Sequence, residues 1–127
     1  ENMGIELNSS DDLFLSKLNE VISKHISDPE LDVESLCAHL GMSRPSLYRR
    51  MQAAAHVSPS HFLQTVRLHL AAKMLKETDL SVYEIMDACG FSNPTYFTSL
   101  FKNKYGSPPI RYRKESRNQT SDYSVDQ

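Results

Sequence analysis

The sequence predicts an all-α fold: two helix-turn-helix units with a longer helix between them. Three observations predict it. The 127-residue chain has only four glycines and no tryptophan, and its apolar residues recur at helical spacing. Capping residues and Gly or Pro punctuation divide it into short segments. One two-helix unit occurs twice.

The first segment, SSDDLFLSKLNEVISKHIS, places Phe14, Leu18, Val21, Ile22, His25 and Ile26 on one stripe, with Ser9 and Asp12 spaced as a capping box. LDVESLCAHLGMS reads as a short helix closed by Gly41, which suits a left-handed cap. SRPSLYRRMQAAA reads as a third helix with Pro45 in its first turn. In SPSHFLQTVRLHLAAKMLKET, Ser58 is the N-cap and Pro59 the first helical residue. Phe62, Leu63, Val66, Leu70 and Met74 form its expected core side. LSVYEIMDACG carries a Ser81–Glu84 capping box and ends at Gly90, and SNPTYFTSLFKNKYG starts around Pro94. SPPIRYRK allows one last short turn. Residues 1–10 read as a polar lead-in, 11–114 as the domain, and 115–127 as a polar tail without periodicity.

The repeat pairs VESLCAHLGMSRPSLYRRM with VYEIMDACGFSNPTYFTSLF. Val33 matches Val82, Gly41 matches Gly90 and Ser43 matches Ser92. After one extra residue, Leu47 matches Phe97, Met51 matches Phe101 and Pro59 matches Pro109. A short helix, a glycine turn and a second helix make a helix-turn-helix, whose second helix enters a DNA major groove.

Charge agrees with that reading. The formal net charge is -2, yet residues 43–117 hold twelve bases and five acids, while residues 1–42 hold nine acids and two bases. A basic portion inside an acidic chain points to a polyanion. On a wheel centred on Leu47, Met51 falls beside it; Pro45, Arg49 and Gln52 fall opposite, and Tyr48 flanks them. Centred on Phe97, the wheel puts Thr95, Ser99 and Lys102 opposite. Lys104 falls near Phe101, so the backbone is expected to turn there, and Tyr96 is expected to be partly buried.

These residues resemble the DNA-binding domain of the AraC/XylS family of bacterial transcription regulators. The resemblance covers about residues 11–114, and GFSNPTYFTSLFKNKYGSPPIRYR carries most of it. It implies one domain of seven helices, two helix-turn-helix subdomains joined by a long central helix, reading two neighbouring major grooves of double-stranded DNA. It implies Pro45, Tyr48 and Arg49, then Pro94, Thr95, Tyr96 and Ser99, as base readers. Arg44, Arg50, Gln52, Lys102, Lys104, Arg111 and Arg113 suit phosphates, which set register without reading sequence. Ser99 stands where the family commonly has arginine; Cys37 and Met86 stand where it has alanine. The entry segment also resembles the output end of Bacteroidetes hybrid two-component regulators. That implies a larger protein carrying a histidine kinase, and the chain's start at Glu1 fits a fragment. RNA polymerase is the second partner expected. The fragment is expected to be monomeric, and the full-length protein dimeric.

Other classes find little support. Cys37, Cys89, His25, His39, His56, His61 and His69 form no catalytic or metal motif; His61 and His69 lie two turns apart. No enzyme activity, metal or cofactor is expected of this fragment. No apolar run is long enough to cross a bilayer, and a cytoplasmic location without membrane contact is expected. The cysteines read as small buried hydrophobes. RNA is disfavoured because A-form major grooves exclude a helix. A helical protein-interaction module is the alternative, but it leaves the repeat and the basic fronts unexplained.

Overall fold

The computed structural model describes the backbone of residues 10–125 and the side chains of residues 10–118. The described residues form seven helices and no strand. They are α1 (Ser10–His25), α2 (Val33–Leu40), α3 (Arg44–Ala55), α4 (Pro59–Glu77), α5 (Val82–Ala88), α6 (Pro94–Tyr105) and α7 (Pro109–Val125). Two compact units divide the chain, one ending at Thr65 and the other starting at Val66, inside α4. The expected lead-in, including Ser9, lies almost wholly outside the described residues.

In the first unit, α1 packs against both α2 and α3. Phe14, Leu18, Val21 and Ile22 are buried as their spacing predicts, whereas His25 and Ile26 are half-buried at the helix end. The side chain of Asp32 caps α2, accepting from the Ser35 N–H at 2.9 Å. That contact holds the Asp32 carboxyl below its ordinary range. Gly41 then takes φ +66°, the left-handed conformation that turns the chain into α3. Ser43 caps α3, and Leu47 and Met51 are fully buried on its inner side. At the end of α3, His56 adopts φ 60° and donates its N–H to the carbonyls of Met51 and Gln52.

In the second unit, the box on α5 forms as expected: Ser81 Oγ accepts from the Glu84 N–H at 3.1 Å, and Glu84 returns a carboxylate oxygen to the Ser81 N–H at 2.8 Å. The cap of α6 is Asn93, not Ser92. Ser43 and Asn93 are therefore the equivalent caps, and the extra residue lies within the turn. Ile85, Met86, Cys89, Phe91, Phe97 and Phe101 form the core with Leu68, Ala71, Ala72 and Leu75. The Phe97 and Phe101 ring centroids lie 5.9 Å apart.

Three expectations change. Of the five residues predicted for the core side of α4, only Leu63 is fully buried; Phe62, Val66, Leu70 and Met74 are half-buried. The second unit instead buries Leu68, Ala71, Ala72 and Leu75, an i, i+3, i+4, i+7 set whose alanines carry little apolar weight. Residues 109–125 form one helix where a short turn and an irregular tail were expected. Arg113 and Arg117 anchor α7 by donating to carbonyls at the end of α4, and Arg111 pairs with Glu115 one turn on within the helix at 3.1 Å. Lastly, α6 does not turn before Lys104. It runs on to Tyr105, and Lys104 is exposed because it lies beyond the last core residue of the helix, Phe101.

Candidate nucleic-acid interface

In α3 and α6, the buried backs fix which side chains face water. On α3, Pro45, Arg49 and Gln52 are exposed opposite Leu47 and Met51, with Tyr48 exposed at the edge of that front and Arg44 exposed in the first turn. The guanidinium of Arg49 donates to Ser46 Oγ at 3.3 Å, one turn back on the same helix. Arg44 reaches Glu34 of α2 at 3.4 Å, and its Cζ lies 5.9 Å from the Tyr48 ring centroid. This side therefore carries two guanidinium groups, a phenol and a carboxamide. The guanidinium groups can fork onto guanine or phosphate, and the carboxamide can pair with adenine.

Arg50 points elsewhere. It is half-buried, donates to the Ser10 carbonyl at 3.2 Å and to Ser10 Oγ at 3.3 Å, and lies over Phe14 at 4.7 Å. These contacts tie α3 to α1.

On α6, Pro94, Thr95, Thr98, Ser99 and Lys102 line a shallow concavity of about 510 Å³. Thr98 was missed because the wheel puts it at the edge of the front; its hydroxyl and methyl suit a base edge equally well. Tyr96, in the first turn of α6, is 53% exposed, not partly buried. Lys104 and Arg111 are exposed. Arg113 is half-buried and donates to the carbonyls of Leu75 at 3.0 Å and Thr78 at 3.1 Å.

Arg67 was overlooked altogether. It is 6% exposed on α4 and donates to the Cys89 carbonyl at 2.7 Å. It thus satisfies the end of α5 where the chain turns towards α6, and a buried cation requires such a partner. An arginine flanked by leucine and valine in a helix gives no sequence sign of a distant carbonyl.

A family model described as a helix-turn-helix domain matches residues 36–115. The chain belongs to the AraC/XylS-type helix-turn-helix family. A Neisseria gonorrhoeae protein, the HTH-type transcriptional regulator MtrA, is 37% identical over 101 residues, 78% of this chain and 34% of that protein. Histidine kinase P4 of Formosa agariphila is 28% identical over 109 residues, 86% of this chain and 8% of that protein. The chain thus spans a third or less of these relatives' length. Among solved structures, the DNA-binding domain of AdpA in complex with a target DNA superposes with a TM-score of 0.75 at 31% identity. That match covers 83% of this chain and 94% of that one. None of the described helices is long and apolar enough to cross a membrane.

Proposed function

We propose that this AraC/XylS-type domain binds double-stranded DNA sequence-specifically and regulates transcription, with α3 and α6 as recognition helices in adjacent major grooves. The observation that carries the reading is the duplicated amphipathic helix. Each copy buries two large residues and exposes a polar or basic front. Pro45, Tyr48 and Arg49, with Pro94, Thr95, Thr98, Tyr96 and Ser99, are the base-reading set. Arg44, Gln52, Lys102, Lys104 and Arg111 are the phosphate set.

Further parts of the reading concern the longer protein. The domain serves as its cytoplasmic output module, and the likeness to a histidine kinase supports a two-component origin. The isolated domain is a monomer on one asymmetric site, the longer protein pairs two such domains, and RNA polymerase is its second partner. The deciding experiment is selection of duplexes from a random pool, followed by fluorescence anisotropy on the selected site. Tight binding to one site and weaker binding to unrelated duplexes is expected. Failure to bind any duplex at low salt, with tight capture of a protein, would establish the helical interaction module instead.

A further inference from the structure

The four described arginines of the second unit all have partners within the protein. Arg67 is bound to Cys89, Arg111 to Glu115, Arg113 to Leu75 and Thr78, and Arg117 to Thr78 and Asp79. Lys73 and Lys76 are different. Both are exposed on α4, and neither has an ion-pair or hydrogen-bond partner among the described residues. With His69 they occupy one side of the helix, at i, i+4 and i+7.

These three side chains form one wall of a groove of about 400 Å³. Tyr105, at the end of α6, and Tyr112, on α7, form the other. Their rings are pinned: each packs on the buried Phe101, at 4.6 and 5.2 Å, and they lie 5.3 Å from each other. Neither hydroxyl has a partner among the described residues, yet no buried side-chain oxygen or nitrogen there is left unpaired. Both hydroxyls therefore reach solvent. The groove offers two ammonium groups, an imidazole and two phenol donors against a single carboxylate, Glu77. That donor set suits an oxyanion, and lysine is a common phosphate ligand.

The groove also adjoins the α6 front. Lys102 lines the front, and Tyr105, one turn further on, lines the groove. A helix about 10–12 Å across in a major groove about 12 Å wide is flanked closely by both sugar-phosphate backbones. We propose that the groove between Lys73–Lys76 and Tyr105–Tyr112 binds a backbone phosphate of the strand bordering the major groove that α6 enters. The inference rests on the DNA-binding reading above and extends the contact surface to α4.

The test is the salt dependence of duplex binding by K73Q/K76Q, with wild-type protein and K73R/K76R alongside. Loss of this one phosphate contact should make the slope of log K against log salt shallower by about 1. Affinity should fall by the same factor on the selected and unrelated duplexes. K73R/K76R should keep the wild-type slope, and Y105F/Y112F should weaken binding without changing it. A wild-type slope and affinity in K73Q/K76Q, beside a wild-type protein that binds DNA normally, overturns this inference alone. Wild-type protein that binds no duplex overturns the DNA-binding reading as well. Inorganic phosphate is the second probe. If it moves the Tyr105 and Tyr112 ring signals in wild type but not in K73Q/K76Q, while the DNA slopes coincide, the groove serves a free phosphate and the backbone assignment fails.

Discussion

Glu34 and Arg44 form an ion pair across the turn between α2 and α3, with the carboxylate 3.4 Å from the guanidinium. An acid beside the start of a recognition helix repels phosphate and competes with it for Arg44. Glu34→Gln should therefore tighten binding to unrelated duplexes and steepen the salt slope by up to about 1. Discrimination in favour of the selected site should fall. Both partners are exposed, so thermal stability should barely change. Anisotropy titrations on selected and scrambled duplexes check this; unchanged discrimination would remove Glu34 from the recognition machinery.

Arg49 and Lys102 should fail in different ways. Arg49→Ala should cost about 1–3 kcal/mol and relax preference at one base pair, as expected for a bidentate contact. Lys102→Gln should weaken all sequences evenly and lower the salt slope by about 1. A base-substitution series measured against both variants separates the roles. Loss confined to one position in the lysine variant would contradict the assignment.

His56 and Gly106 end the two recognition helices in the same left-handed conformation, at φ 60° and φ 87°. Histidine is strained there, glycine is not. His56→Gly should raise the unfolding free energy by up to about 1 kcal/mol. Gly106→Ala should lower it by about 1 kcal/mol from backbone strain alone, since an added Cβ meets nothing within 4 Å. Urea unfolding measures both, and a destabilised His56→Gly would show that the imidazole does more than end a helix.

Burial pushes the Cys89 thiol from its ordinary 9.0 up to about 11. The fold favours the protonated form, so this contribution is fully present below pH 9 and is lost as pH rises through about 11. Unfolding free energy should decline over that interval, and Cys89→Ala should flatten the decline. In native protein at neutral pH, alkylation followed by mass spectrometry should label the half-buried Cys37 well before Cys89.

Helix starts and turns were legible in the sequence because their signals are local. Gly41, Ser58, Ser81 and Pro94 act within three or four residues of themselves. The buried backs of α3 and α6 were legible for the same reason, since Leu47, Met51, Phe97 and Phe101 repeat at helical spacing. What escaped depends on distant partners. Arg50 reaches back forty positions to Ser10, and Arg113 reaches thirty-eight to Leu75; a basic residue looks alike whether it seeks a phosphate or a carbonyl. The run from Pro109 has no long apolar stripe: Pro109 is buried and Tyr112 packs on Phe101, while Arg113 and Arg117 reach carbonyls at the end of α4. On α4, small alanines bury where larger residues drew attention.

The grip of Arg67 on Cys89 bears on how transferable this reader is. The angle at which α6 leaves its turn is set partly from α4, by a side chain twenty-two positions upstream. Grafting only Pro94–Tyr105 into another scaffold would carry over the letters it reads but leave behind the wrist that aims them. A working transplant should begin at or before Arg67.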